Sequence, residues 1–415
     1  MEPSMMGQLE RDAALLNLGF EAGPISFSLA SQNKEVFDAL AQRCPQLVSV
    51  LETLEDRIPL PKSTVASLQG NFYRLPNHNR SFCYRLSQNL PILESPVVVF
   101  KGTEPILQDF PQMIDWMLQA PLRRSTRVMA DHFPLAEGKI PGVLSAREAL
   151  HEADIALDIQ KKHLLHYGEL AAVPVPLLVH SISKQRQLTC VETLRNKLSR
   201  PAFDRIEPLL QNGLAIYVYY YRSSPVRANY LGDLGSREFK AFAENKPDEH
   251  RCILHWSRLL IRLLYLGYLP YSVRNDGLGS CMDFGNAAVD GGFCDPDSVI
   301  PIDDTMDNEF LLESVIQGFK IFQNTVERFL GISEPSTLYP SIESFACWQY
   351  IDHLLKDAIE TERRPSLRLD HRVLDLMFPK AASDVRDCTK RKSRSVAYAY
   401  FAKQLAKTSI DSSFP

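Results

Sequence analysis

Apolar residues recur in "GVLSAREALHEADIALDIQKKHLLHYG" (142–168), where Leu150, Ile155, Leu157 and Leu164 are read as giving an apolar face. That pattern predicts a single long helix. Ser145 stands in front of it with Glu148 three residues on, the spacing of a capping box, and Gly168 supplies a stop. Elsewhere the apolar residues run together. "VVVF" (97–100) is a β-branched run leading into Lys101-Gly102, a strand and turn signal. "VPVPLLVHSI" (173–182) reads as a strand whose prolines suit a sheet edge. "GLAIYVYYY" (213–221) is the strongest strand signal in the chain.

Residues 1–60 read as helices with polar breaks, and 238–269, 308–331 and the last 80 residues as mostly helical. Within these, "LLIRLLYLGYLPY" (259–271) is the greasiest stretch; Arg262 interrupts it, so a buried core helix is expected and not a membrane span. No internal repeat or low-complexity segment stands out. Strands concentrated in 95–221 and helices after 238 predict an α+β chain.

The 415 residues are 45% hydrophobic and 23% charged, enough apolar material for a sizeable core. Lys and Arg total 46 against 50 acids, a net charge of −4, which argues against a nucleic-acid or anionic-membrane partner. Eight scattered cysteines form no CxxC and no zinc spacing, so reduced thiols in a cytoplasmic protein are expected. The N-terminus lacks a basic region followed by an apolar run, so no signal peptide is expected. "HLLH" (163–166) puts two histidines at i, i+3, and with no third ligand in reach by sequence they read as a surface pair.

The chemistry concentrates in an ordered set: a strand ending in Lys101, a helix carrying Glu148, a strong strand, a buried helix, then "GSCMDFGNAAVDGGFCDPDS" with Asn286 and Asp295. This is the order of parts in protein kinases. There a strand lysine holds phosphates and pairs with a helix glutamate, while an asparagine and an aspartate hold Mg²⁺. The last segment admits two readings. Asp283-Phe284-Gly285 has the DFG form, whereas Asn286 and Asp295 flank a predicted hairpin turning at Asp290-Gly291-Gly292.

At these residues the chain resembles the selenoprotein O family, which has an atypical protein-kinase fold, binds ATP in a flipped orientation and transfers AMP to protein hydroxyls. The resemblance covers about 95–300. "VVVFKGTEP" is similar to the family's strand-Lys-Gly segment and implies Lys101 as the phosphate lysine. "AEGKIPGVLSAREALHEAD" resembles its Asp-Gly-Arg turn and Arg-Glu helix, which implies nucleotide-binding roles for Glu137, Gly138, Lys139 and Glu148. "YYYRSSPVRANYL" resembles its Ser-Ser-x-x-Arg segment and implies Arg227 as a phosphate arginine. The family spaces its metal Asn and Asp by eight residues, as Asn286 and Asp295 are spaced here, and this favours the hairpin reading over the DFG one.

The chain also departs from the family. Gly285 stands where the family has an aspartate base, which makes Asp283 the expected substitute. Gly279 replaces the loop histidine. Tyr220 replaces a second arginine, for which Arg222 is the expected stand-in. The family's C-terminal selenocysteine or cysteine is not evident, although Cys388 lies 27 residues from the end.

The resemblance implies an α+β, bilobal protein-kinase-like fold with additional N- and C-terminal helices. The divisions are a helical extension over 1–90, a smaller lobe over 91–230, a larger lobe with the catalytic segment over 231–350 and a helical extension over 351–415. The implied activity is ATP-dependent AMP transfer with Mg²⁺ or Mn²⁺, onto a protein hydroxyl. Two other readings stay open: an ATP-binding pseudoenzyme or interaction protein, and phosphate or nucleotide transfer to a small molecule.

Overall fold

In the computed structural model the described residues are 22–48, 72–73, 81–102, 143–228, 248–302, 318–332 and 342–363, save 88, 92–93, 198–199, 212, 270, 275–276, 281–284, 297–298 and 319–320. They form an α+β structure. Its main strands and helices are β1 (Ala22–Ser28), α1 (Leu29–Gln32), α2 (Lys34–Arg43), β2 (Phe72–Tyr73), β3 (Ser81–Arg85), β4 (Val97–Lys101), β5 (Leu144–Ser145), α3 (Ala146–Tyr167), β6 (Val175–Ile182), α4 (Lys184–Lys197), α5 (Arg200–Leu210), β7 (Leu214–Tyr221), α6 (Glu249–Tyr265) and α7 (Ile342–Glu362). Residues 321–329 are also helical.

One antiparallel sheet organises the chain in the order β1-β6-β7-β4-β3-β2, with β5 also on β7. β7 is central because every one of its residues is buried, and β-branched and aromatic side chains fill both faces. β4 is buried over its whole length and lies beside it. In the ladders Lys101 faces Tyr217 on one side and Ser81 on the other. Tyr217 in turn faces Val179 on β6. Directly opposed residues leave a sheet on the same face, so Ser81, Lys101, Tyr217 and Val179 form one row.

The helix read from 142–168 forms as α3. Ser145 caps it by accepting the Glu148 N–H at 3.0 Å, and Gly168 ends it in the left-handed region. Ala149, Ala153 and Ala156 line its inward side, with Ile155 buried on one flank and Leu157 on the other, and the helix packs on β6 and β7. α6 carries the greasy stretch, with Leu259, Leu260, Ile261, Leu263 and Leu264 buried, and packs against α7.

Four expectations need correcting. The N-terminal segment is not all helical: β1, β2 and β3 are strands of the main sheet, where pairing with β4 and β6 overrides a weak local pattern. Strands also follow residue 221, as short pairs over Tyr268–Leu269 with Ile300–Pro301 and Tyr271–Arg274 with Gly277–Ser280. β6 is not an edge strand. It lies between β1 and β7, and Pro176 is tolerated at a register shift beyond the residues that pair with β1. His163 is not a surface histidine but 1% exposed. Its Nε2 accepts from Arg262 Nη1 at 3.2 Å, which leaves Nδ1–H to donate to the Glu169 carbonyl at 2.7 Å. Arg262 also donates to Glu169 and Glu362, so this polar knot ties the end of α3 to α6 and α7.

Among the described residues no helix is long and apolar enough to cross a membrane. Cys44, Cys83, Cys190, Cys252, Cys294 and Cys347 are buried.

Candidate active site

Lys101 ends β4 with its side chain buried beneath the sheet, 1% exposed. A lysine is rarely buried without a partner, and this one meets two carboxylates. Its Nζ donates to both carboxylate oxygens of Glu152, at 2.7 and 2.6 Å, and to Asp295 Oδ1 at 2.9 Å. Glu152 is fully buried and Asp295 is 3% exposed. The three N–H groups of the ammonium are matched by three carboxylate oxygens.

The helix glutamate that meets Lys101 is Glu152, one turn beyond the expected Glu148. Glu148 sits in the first turn of α3, where its backbone N–H completes the cap. At i and i+4 the two residues share a helix face, but only the later one lies deep enough to meet Lys101. The signal that could have found it is burial: Glu152 falls among Ala149, Ala153 and Ala156, the small buried residues of the inward face.

Asn286 and Asp295 come together on a hairpin, as their spacing implies. Ala287 bridges Phe293, Cys294 N–H donates to the Asn286 carbonyl at 2.8 Å, and Ala288 N–H to the Gly292 carbonyl at 2.8 Å. The hairpin lies against the segment after β7: Arg227 bridges Ala288, Ala228 N–H donates to the Ala287 carbonyl and Val289 N–H to the Val226 carbonyl. Trp256 of α6 supports it from the other side, donating from Nε1 to the Ala288 carbonyl at 2.8 Å.

The hairpin tip is built without room for side chains. Gly291 has φ +87°, and a Cβ there would meet His255 Cβ at 2.3 Å. A Cβ on Gly292 would meet Tyr221 Oη at 2.2 Å and the Ala172 carbonyl at 2.3 Å. Asp290 precedes them and reaches the end of β7. Its Oδ2 accepts from Arg222 Nε at 2.8 Å and Ser223 Oγ at 2.9 Å. Its Oδ1 accepts from Tyr221 Oη at 3.2 Å and Gly292 N at 3.0 Å. Arg222 Nη2 also donates to the Asp290 carbonyl at 2.7 Å.

Arg222, expected as a phosphate ligand, here ties the hairpin to the end of β7 through Asp290. Burial first, then the Asp290 charge, pushes the Tyr221 hydroxyl well above the usual range, so it donates as a neutral phenol. Burial pushes the Cys294 thiol, beside Asp295, up to about 12, which leaves it protonated and inert.

Asp283, Glu137, Gly138 and Lys139 lie outside the described residues. Arg227 is placed by its bridge on the hairpin strand and is close enough to lower the Cys294 thiol electrostatically, against burial as the larger effect.

Two carboxylates around one ammonium leave the buried triad with one excess negative charge when all are ionised. Asn286, across the hairpin from Asp295, offers an amide oxygen as a further hard donor. This arrangement suits a hard divalent cation that keeps several waters, such as Mg²⁺. Among the described residues no group of three or more His, Cys, Asp or Glu is gathered as a metal cage.

No protein-family model matches the chain, and no curated protein matches it.

Proposed function

We propose that this chain is an ATP-dependent transferase of bilobal protein-kinase-like fold, and that it transfers AMP to a protein hydroxyl. The observation that carries the reading is Lys101 Nζ between Glu152 and Asp295, within 2.9 Å of each. A strand lysine, a helix glutamate and an aspartate one hairpin after an asparagine are the four groups that hold a nucleotide's phosphates and metal in kinases. The choice of AMP over phosphate follows from the resemblance to the selenoprotein O family and rests on Lys101 and Arg227 as the phosphate cations, now that Arg222 is occupied.

In this reading Asn286 and Asp295 hold Mg²⁺ or Mn²⁺, which when bound neutralises charge on the phosphate oxygens. Glu152 orients Lys101, and Lys101 neutralises the phosphate chain. The acceptor hydroxyl oxygen bonds to the α-phosphorus, the bond to the bridging oxygen breaks and pyrophosphate leaves. The hydroxyl proton passes to a base, for which Asp283 is the candidate.

A second reading, ATP binding without transfer, is favoured by Gly285 standing directly before Asn286 with no carboxylate to take a proton. Loss of a general base costs typically 10²–10⁴-fold. Calorimetry with ATP, with and without Mg²⁺, tests both readings. Binding that needs Mg²⁺ and is lost in Asp295→Ala is expected, and no binding by the wild type removes both. Intact mass spectrometry after incubation with Mg-ATP and candidate acceptor proteins then separates them. A nucleotide-sized mass gain supports AMP transfer, a phosphate-sized gain supports an ordinary kinase, and no gain leaves ATP binding alone.

A further inference from the structure

Ser81 opens β3 and is 1% exposed. Its Oγ has no hydrogen-bond partner. A buried hydroxyl left without a partner is costly, and each such case in a folded protein calls for a physical explanation. The ladder supplies one. Ser81 is the direct register partner of Lys101, so the two side chains leave the sheet side by side on the face where Lys101 meets Glu152 and Asp295.

His180 shows that the position, and not only the missing partner, matters. Both of its ring nitrogens lack partners and it is 2% exposed. Yet it follows Val179, the residue in the Lys101 row, and so lies on the opposite face of the sheet. Of these two unpartnered residues, only Ser81 faces the site.

We infer that Ser81 is a phosphate-binding residue: its hydroxyl donates a hydrogen bond to an oxygen of the phosphate chain that Lys101 neutralises. The inference rests on the ATP reading above. A hydroxyl suits this place. The ammonium of Lys101 is already matched by three carboxylate oxygens, so a second donor on the same face adds a directed bond to phosphate without further buried charge. Serine is also short enough to stand beside the lysine on neighbouring strands, about 5 Å apart at Cβ.

Two variants test it, Ser81→Ala and the near-isosteric Ser81→Cys, which keeps the volume but has a weak donor. Calorimetry with Mg-ATP is expected to show about tenfold weaker binding for both, while adenosine binding stays within about twofold of wild type. Melting without nucleotide moves the other way: removing an unpartnered buried hydroxyl is expected to leave Tm unchanged or raise it, while the ATP-induced rise in Tm shrinks. If wild type binds Mg-ATP and both variants bind it equally well, Ser81 is no phosphate ligand and the ATP reading stands. A lower Tm without nucleotide and an unchanged ATP-induced rise would assign Ser81 a purely structural role and overturn the inference. If wild type does not bind ATP at all, the ATP reading falls and this inference falls with it.

Discussion

Arg222 and Asp290 are joined twice, from Nε to the Asp290 carboxylate at 2.8 Å and from Nη2 to its backbone carbonyl at 2.7 Å. Arg222 follows the last residue of β7, and Asp290 is the tip of the hairpin that carries Asn286 and Asp295. One carboxylate therefore fixes the sheet to the segment proposed to hold the metal.

Replacing Asp290 with alanine removes the acceptor for Arg222, Ser223, Tyr221 and Gly292 together. Breaking a buried charge pair costs about 3–5 kcal/mol, and this pair is partly exposed, so a loss of roughly 2–3 kcal/mol is expected. Urea denaturation measures it. A change below about 0.5 kcal/mol would mean that the hairpin is held by its backbone bonds and Trp256 alone.

Glu152 and Glu148 separate by experiment as they do in the fold. Glu152→Gln keeps the volume but removes one of the two charges facing Lys101, and is expected to weaken Mg-ATP binding by about tenfold or more. Glu148→Gln leaves the Ser145 cap in place and is expected to stay within about threefold. Equal loss in the two variants, read by calorimetry, would return Glu148 to the site.

Burial holds His163 and His180 down to about 4 from 6.5, so both are neutral in the folded chain near neutral pH. A folded value below the unfolded one means that the unfolded chain binds the proton more tightly. Stability is then full above pH 6.5 and falls as pH drops from 6.5 to 4, by about 3 kcal/mol for each histidine. His180 is the cleaner test because its ring nitrogens have no partner to lose. His180→Leu is expected to be neutral or about 1 kcal/mol more stable at pH 7 and to flatten part of this acid limb. An acid limb of unchanged depth, measured by urea unfolding at several pH values, would show that His180 does not carry it.

Much of the site was legible because it depends on short range. Strand β4 ending in Lys101 is declared by four successive β-branched or aromatic residues. Helix α3 is declared by its period, its Ser145 cap and Gly168. The Asn286–Asp295 hairpin is declared by eight intervening residues with Asp-Gly-Gly at the turn. Each of these signals is a local backbone preference, and local preferences are written in neighbouring residues.

What tertiary structure decided was which of several chemically equivalent residues meets Lys101 and the hairpin. Glu148 and Glu152 lie one turn apart on the same helix, and only the depth of α3 against β6 and β7 puts the second in contact with Lys101. Arg222 and Arg227 both follow β7, and the position of Asp290, 68 residues from Arg222, ties the first to the hairpin tip. Ser81 gave no signal at all in its own segment. It matters because β3 pairs with β4 in a register that puts its hydroxyl beside Lys101. Strand pairing, helix depth and charge pairing between distant residues are set by burial of the whole core, and no window along the chain contains both partners.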